Sequence, residues 1–198
     1  MGEIGSATAR PMRADARRNY DRLVTAARAA FAEHGAEASL DDIARRAGVG
    51  PGTLYRHFPT RLALLEAVYR DDVTALCAEA EELGRTRPPG DALAAWLRVF
   101  VRHAAVKRGL AAALKASLGE DTSAFFLECS TALRAASQAL LTAAQQAGAV
   151  RADARVPDLL KLVHGIAVAT EHSLDDPGQA ERLLSVVLDG LRPPPVPG

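Results

Sequence analysis

Apolar residues recur at three- and four-residue intervals along most of the chain, and no segment shows the strict alternation typical of a β-strand. The first such segment predicts a helix from about Ala14 to His34, ended by Gly35, a residue type that commonly follows a helix C-terminus. Its predicted buried stripe has helical spacing and consists of Leu23, Ala27, Ala30 and Phe31.

The next segment predicts two short helices. One covers Leu40 to Ala47, because Ser39 suits an N-cap and Asp42 lies in the positively polarised first turn. The other begins at Pro51, whose missing N–H would have no partner in a first turn anyway.

Longer helices are predicted for the rest of the chain. One begins at an N-cap, Thr60, and reaches about Leu83, with Gly84 as its stop, and Asp91 then caps the next. The others lie at about 110–118, 123–147, 156–173 and 177–191, the last capped by Asp176 with Pro177 at its first position. The predicted fold is all-α, with about nine helices.

Residues 40–58, LDDIARRAGVGPGTLYRHF, read as two short helices joined by a glycine-containing turn, which is the arrangement of a helix-turn-helix. Gly48 lies where the turn needs a positive φ, and Ala44 lies where the second helix leaves no room for a branched side chain. The small shared core is predicted to consist of Ile43, Ala47, Val49 and Leu54.

A helix of about seven residues is marginal by itself. The sequence GPGTLYRHF combines two glycines and a proline with Tyr, His and Phe, and a partner bound to its outer face would explain this composition. A DNA major groove admits one helix presented by its N-terminal end, and that end also attracts a phosphate. Glycines let the backbone approach phosphates and base edges closely. The predicted DNA contacts on this face are Gly50, Pro51, Gly52, Thr53, Tyr55, Arg56 and His57.

The segment LDDIARRAGVGPGTLYRHFPTRLALLEAV resembles the DNA-binding region of TetR/AcrR-type transcriptional regulators, from the Gly-Val turn through Gly-Thr-Leu-Tyr and His-Phe to a basic residue that opens the fourth helix. The resemblance covers about residues 15–70. Two positions depart from the family pattern: Arg61 stands where Lys is usual, and Gly50-Pro51 stands where Ser or Lys often contacts DNA. The resemblance implies phosphate contacts by Thr53, Tyr55, His57 and Arg61.

Charge is balanced over the whole chain, with 24 basic and 24 acidic side chains, but not along it. Residues 1–70 carry 11 Arg, no Lys and 8 Asp or Glu, so this part is positive and suits contact with a polyanion. The arginines beside the first helix either follow phosphates or form a solvated face, and those of the second helix either flank DNA or pair with Asp41 or Asp42. The further candidate contacts are Arg17, Arg18, Ser39 and Arg45, with Arg10, Arg13 and Arg46 close by.

The predicted domains are a flexible tail over 1–12, a helix-turn-helix domain over 13–60, a larger helical domain over 61–192 and a Pro-rich tail over 193–198. The last two helices are apolar on more than one side, so each needs a second surface to cover it. Either a homodimer, which the family resemblance also implies, or the domain's own core supplies that surface. The predicted dimer contacts are Leu159, Leu162, Val163, Ile166, Leu184, Val187 and Leu188.

Regulators of this family usually hold a small-molecule pocket in the C-terminal domain, so an apolar or aromatic effector is expected here. Aromatic residues make up only 5% of the chain, which draws attention to the few in this domain, although their helical spacing suits plain core packing equally well. The predicted pocket residues are Trp96, Phe100, His103, Phe125, Phe126 and Cys129.

Other chemistry finds little support in the sequence. The two cysteines, Cys77 and Cys129, stand far apart, and no His/Cys spacing suits a metal, so neither a disulfide framework nor a metal or other cofactor is expected. No secretory signal and no membrane-spanning run is recognised, which predicts a cytoplasmic protein without a membrane partner. No nucleophile–base pair, paired carboxylates or phosphate loop suggests an enzyme.

The combined prediction is a dimeric transcriptional repressor that binds a palindromic operator and is released by a small molecule. Two alternatives stay open: a dimeric DNA-binding regulator without an effector, and a helical enzyme that keeps a relic helix-turn-helix.

Overall fold

The protein was analysed as a computed structural model, which describes residues 9–118, 122–170, 176 and 178–193. These residues form eight α-helices and a 3₁₀ turn at Gly35–Glu37, with no strand among them. The predicted all-α class is confirmed. The helices are α1 Ala9–His34, α2 Leu40–Arg46, α3 Pro51–His57, α4 Arg61–Thr86, α5 Pro89–Leu118, α6 Thr122–Gln146, α7 Val156–Ala169 and α8 Gln179–Gly190.

Some helix boundaries agree with the prediction, such as the end of α1 at His34 and the start of α4 directly after Thr60, and others differ. α1 begins at Ala9, so residues 9–12 are helical rather than part of a loose tail. The predicted fifth and sixth helices are one helix, α5, because nothing between them is a strong helix breaker and a single interior Gly109 is tolerated. This merger reduces the predicted nine helices to the eight observed in the described residues.

Gly84 does not end α4, which continues to Thr86. A Cβ at Gly84 would lie 3.2 Å from Leu140 Cδ2, so this glycine allows α4 and α6 to approach closely. The predicted stop was wrong because the sequence does not distinguish a glycine that allows close helix packing from a glycine that ends a helix.

The start of the last helix also differs from the prediction. α8 has Gly178 as its N-cap, without a side-chain capping bond, and the Asp176 carboxylate instead accepts a 3.0 Å hydrogen bond from Arg182 Nη1. That hydrogen bond lowers the pKa of Asp176 below its ordinary value. Pro177, the predicted helical residues 171–173 and residues 194–198 of the Pro-rich tail lie outside the described residues.

The chain divides into two compact units, each built around its own apolar residues. The first comprises Met1–Asp71 with Gly109–Gly119, and the second comprises Asp72–Arg108 with Glu120–Gly198. The division falls at residue 71, inside α4, whereas the sequence placed the domain boundary at residue 60. The first ten or so residues of α4 therefore belong to the unit that contains α1–α3.

The first unit buries the stripe predicted for α1, and α1 contacts α2. Leu23, Ala27, Ala30 and Phe31 are at most 5% exposed, as the spacing of the sequence required. The first unit also buries a second set, in or directly after the following three helices: Ile43, Ala44, Ala47, Leu54, Phe58, Leu64, Leu65 and Val68.

The second unit is built around Trp96, whose side chain is fully buried. Its indole N–H donates a 3.0 Å hydrogen bond to the Leu76 carbonyl, so burial leaves this polar group paired. The surrounding core draws on α4 to α8 and includes Leu93, Leu97, Leu140, Leu141, Leu159, Val163 and Leu184.

Candidate nucleic-acid interface

The turn before α3 has the geometry that its glycine requires. Gly48 has φ +64°, its N–H donates to the Arg45 carbonyl at 3.0 Å, and the Val49 N–H donates to the Ala44 carbonyl at 3.0 Å. These two bonds form a Schellman C-cap on α2, which depends on a residue in the left-handed conformation. The predicted role of Gly48 is confirmed.

α3 is anchored from one side and open on the other. Leu54 is 1% exposed and Phe58, directly after the helix, is 3% exposed. Pro51 is the first helical residue, and the extended N-cap Gly50 accepts a 2.9 Å hydrogen bond at its carbonyl from the Thr53 N–H. The two buried apolar residues fix a seven-residue helix that would be marginal in isolation.

The open side of α3 carries the predicted DNA contacts together. Gly50, Pro51, Gly52 and Arg56 are exposed, Thr53 and His57 are half-buried, and Tyr55 is 48% exposed. A Cβ at either glycine would have no neighbouring atom within 4 Å. The N-terminal end of α3 is therefore free to approach a large partner closely.

Tyr20 on α1 packs against His57 and Phe58. The sequence analysis did not identify this contact. The Tyr20 ring lies 6.1 Å from the His57 ring in an edge-to-face arrangement and 5.1 Å from the Phe58 ring. Burial of the phenol, with the nearby charge of Asp71, raises the pKa of Tyr20. The signal was present, because Tyr20 lies three residues before Leu23 on the buried stripe of α1.

The candidate arginines of α1 and α2 form ion pairs within the chain. Arg18 pairs with Asp15, both exposed, and the exposed Arg45 pairs with the half-buried Asp42. Such exposed pairs contribute little free energy, so either arginine can exchange its carboxylate for a phosphate. Arg17 is exposed on α1. The side chains of Arg10 and Arg13 lie outside the described part of the structure.

Arg46 is held more firmly than its neighbour. Its guanidinium donates at 2.7 Å to Glu33 on α1 and at 2.7 Å to Asp42. The hydrogen bond to Glu33 raises the pKa of Arg46 further above its ordinary value. Arg46 thus links α2 to α1, in addition to forming the ion pair with Asp42 that the sequence left as one alternative.

Ser39 and Arg61 both make contacts inside the first unit. The Ser39 hydroxyl caps α2 by accepting a long, 3.4 Å hydrogen bond from the Asp42 N–H. Arg61 Nη1 donates a 2.6 Å hydrogen bond to the Ala38 carbonyl, and the arginine is half-buried. The structure therefore places the predicted phosphate ligand Arg61 against the backbone that leads into α2.

Two of the six predicted pocket residues, Trp96 and Phe100, lie in or against the core of the second unit. Trp96 fills the core, and the Phe100 ring lies 5.5 Å from it. The rings of Phe125 and Phe126 meet edge to face at 5.6 Å, His103 is half-buried, and Cys129 is buried. A groove of about 630 Å³ between α4 and α6 is lined by a different set: Cys77, Ala80, Glu81, Gly84, Ala132, Ala135, Ala136, Ala139, Leu140 and Ala143.

The predicted dimer contacts divide into two groups. Leu159, Val163, Ile166 and Leu184 are at most 8% exposed because they form the core of their own unit, so they cannot offer side-chain surface to a second subunit. Leu162 is 53% exposed, and Val187 and Leu188 are half-buried. The sequence missed three exposed apolar residues on the same two helices: Val168, Leu183 and Val186.

Within the described residues, His, Cys, Asp and Glu side chains do not assemble into a group of three or more that could hold a metal ion. The described helices also include none that is long and apolar enough to cross a membrane.

The first three helices share a buried core, a Schellman turn follows α2, and one side of α3 is exposed. This arrangement defines a helix-turn-helix module of the kind used by DNA-binding regulators. Family models agree with this class. The family model described as "Bacterial regulatory proteins, tetR family" matches residues 23–68. A second family model, described as "Transcriptional regulator SbtR-like, C-terminal domain", matches residues 88–193. The chain belongs to the TetR family of transcriptional regulators.

Solved structures show the same relationship over most of the chain. The TetR transcriptional regulator SCO0520 from Streptomyces coelicolor is 45% identical, with 88% of this chain and 98% of that chain covered and a TM-score of 0.78. A TetR regulatory protein from Mycobacterium vanbaalenii is 39% identical, with 92% and 99% covered and a TM-score of 0.74.

Similarity to a curated relative covers a smaller part of the chain. The uncharacterised HTH-type transcriptional regulator TtgW from Pseudomonas putida is 43% identical over 61 residues. This match spans 30% of the chain and 46% of the relative, or about half the length of that protein.

Proposed function

We propose that the protein binds duplex DNA as a homodimer, with α3 of each subunit in a major groove of a palindromic operator. The observation that carries this proposal is the open N-terminal end of α3, where neither Gly50 nor Gly52 has a neighbour within 4 Å of a Cβ position. Two such helices read two half-sites when they are spaced by about 34–36 Å, one turn of DNA.

Footprinting on the DNA upstream of the protein's own gene tests the proposal. Gly52→Glu adds a negative side chain to the open face without meeting another atom of the chain, so the fold is kept and the footprint is lost. Ala124→Glu adds the same charge at an exposed position of α6 outside the groove between α4 and α6, and leaves the footprint intact. Absence of wild-type protection on this duplex, even at low ionic strength, contradicts the proposal.

The exposed apolar residues of α7 and α8 support the homodimer. Leu162 and Val186 are 53% and 70% exposed, and the two helices that carry them contact each other. Large apolar side chains exposed together on neighbouring helices are costly in water and typical of a protein interface. We place the second subunit on this face, with the deeply buried residues of α7 and α8 supporting it from inside each unit.

The proposed mode of action is repression. Occupying an operator blocks a promoter by steric exclusion alone, so it requires no surface beyond the DNA-binding face. In vitro transcription from the footprinted promoter should fall on addition of the protein and should not fall with Gly52→Glu. Increased transcription with the wild-type protein would identify an activator instead.

Release by a small apolar or aromatic effector completes the proposal. The supporting observation is the groove of about 630 Å³ between α4 and α6, which has the volume of a ligand site and a mainly alanine lining with Glu81 and Cys77. An effector releases DNA when it binds one conformer more tightly than the other, and about 1–3 kcal/mol of coupling is typical.

Thermal unfolding and DNA release, measured with phenol and octanoate as aromatic and aliphatic probes, test the effector proposal. Ala139→Phe fills the groove and should abolish any response, whereas Ala124→Phe, at an exposed position of α6 outside the groove lining, should retain it. If neither probe shifts the melting temperature or releases DNA, the effector-free regulator is favoured.

A further inference from the structure

Arg61 lies at the first position of α4, and its side chain reaches back to the chain before α2. Its Nη1 donates a 2.6 Å hydrogen bond to the carbonyl of Ala38, 23 residues earlier. Ala38 is 1% exposed and immediately precedes Ser39, the N-cap of α2. The hydrogen bond therefore joins the beginning of α4 to the beginning of α2.

The carbonyl of Ala38 stands outside the hydrogen-bond ladder of α2. The first carbonyl that the helix uses belongs to Ser39, which accepts a 3.0 Å hydrogen bond from the Ile43 N–H. A buried backbone carbonyl without a donor costs free energy comparable to a lost hydrogen bond. Moving the Arg61 guanidinium to a phosphate would withdraw its donor from the Ala38 carbonyl.

Arg22 makes a comparable contact at the other end of α2. Its Nη2 donates a 3.1 Å hydrogen bond to the carbonyl of Gly48, in the turn that follows the helix. α2 is thus held by one guanidinium at each end, from α4 at its start and from α1 after its end. In this arrangement, the first turn of α4 and the position of α2 are mechanically connected.

We infer that Arg61 is a positioning residue that sets the placement of α2, and through it of α3, rather than a phosphate ligand. The inference rests on the proposed DNA-binding function, and it differs from the role that the family resemblance implies for this position. A phosphate ligand contributes equally to all DNA sequences and to the salt dependence of binding. A positioning residue instead affects the fit of α3 to its specific site.

The test compares wild-type protein and Arg61→Met on the footprinted operator and on a scrambled duplex of equal length, across a salt titration. The positioning role predicts that operator affinity falls about tenfold, because without the hydrogen bond only about a tenth of the molecules hold α2 and α3 in the placement that fits the operator. Affinity for scrambled DNA should stay within about twofold. The slope of log affinity against log salt should be unchanged. A fall in affinity caused only by unfolding would lower both affinities equally.

A phosphate role predicts a different pattern and would overturn the inference. Arg61→Met would then weaken both duplexes alike and reduce the salt slope by about one. Arg61→Gln is measured in parallel, because it also removes the charge and gives the same slope readout if the methionine variant folds poorly. Circular dichroism verifies the helical content of each variant.

Hydrogen exchange of the free protein keeps this inference separate from the proposed function. Arg61→Met should speed amide exchange over residues 40–46, whereas Arg56→Met, at an exposed position of α3, should not. Unchanged exchange in Arg61→Met contradicts the positioning role. If the wild-type protein binds neither duplex, DNA binding itself fails, while the exchange experiment still decides whether Arg61 holds α2.

Discussion

Arg22 on α1 donates a hydrogen bond of 3.1 Å to the carbonyl of Gly48, the residue with positive φ in the helix-turn-helix. A Cβ at Gly48 would lie 2.3 Å from Arg22 Nη2, which is the mobile end of a long side chain. The turn is therefore constrained by its backbone conformation and by this contact from α1.

Gly48→Ala should destabilise the protein by about 1–2 kcal/mol, because an L-residue is strained at φ +64° and the methyl group displaces the Arg22 guanidinium. Chemical unfolding measures the loss. The matched change is Gly52→Ala, inside α3 and with open space around its Cβ position, which should leave stability unchanged or raise it by about 0.5–1 kcal/mol. Equal destabilisation by both changes would show that the turn conformation is not the cause.

Tyr55→Phe should weaken DNA binding by about two- to tenfold without a change in stability, because the tyrosine is 48% exposed and only its hydroxyl is removed. The loss should be equal for the operator and for a scrambled duplex, since the proposed partner is a phosphate. Fluorescence anisotropy on both duplexes measures it. A loss confined to the operator would assign Tyr55 to base recognition instead.

Leu162→Asp combined with Val186→Asp should convert the proposed dimer to monomer, because both side chains are exposed on α7 and α8 and a carboxylate would be buried at the interface. We expect the dimer dissociation constant to rise at least about 100-fold, and sedimentation equilibrium measures it. Leu127→Asp is the control, since Leu127 is 63% exposed on α6. Dissociation caused by Leu127→Asp would move the interface to α6.

Gln145→Leu should destabilise the connection between α6 and α7 by about 1–2 kcal/mol. Gln145 Nε2 lies 3.2, 3.1 and 3.1 Å from the carbonyl oxygens of Arg151, Ala152 and Ala154, which share its two N–H donors, and leucine provides no donor. Gln138→Leu is the matched control, because that exposed amide donates only to the Thr142 hydroxyl among the bonds described. Thermal unfolding of both variants measures the difference.

Stability should fall at alkaline pH through ionisation of Tyr20. Burial raises its pKa above the ordinary value of 10.0, so folding favours the neutral phenol. This contribution is fully present below pH 10 and is lost as the pH rises through the folded-state pKa. Tyr20→Phe removes the ionisation and should flatten the decline in the denaturant midpoint above pH 10. An identical decline in both proteins would assign the effect to other groups.

Most of the helix-turn-helix was predictable because its constraints are local. Gly48 has the positive φ that the turn requires, Pro51 begins α3, and Ile43 and Leu54 are buried as their spacing indicated. Spacing along a helix determines which side chains share a face, whatever the rest of the chain does. Resemblance to known regulators added which of these residues are expected to contact phosphates.

Predictions for the second unit were less accurate, because they depended on which side of each helix packs against another helix and which side is exposed. Leu159 and Leu162 are three residues apart on α7, yet the first is 5% exposed and the second is 53% exposed. The sequence position of Trp96 suited a ligand wall or a core equally well. In the structure its side chain is fully buried and its indole N–H is hydrogen-bonded to the Leu76 carbonyl. The choice between such alternatives depends on neighbours that are distant in sequence.

The sequence by itself determined that this chain is helical, that residues 40–58 form a helix-turn-helix, and that α3 carries its outward polar face, because propensity, capping and periodicity act over a few residues. Only the tertiary structure decided that Arg61 contacts the Ala38 carbonyl, that Tyr20 supports His57, and that Leu162 rather than Val163 is exposed on α7. Each of those outcomes depends on how separate helices pack together, and the energies of such contacts are set by geometry that no local pattern encodes.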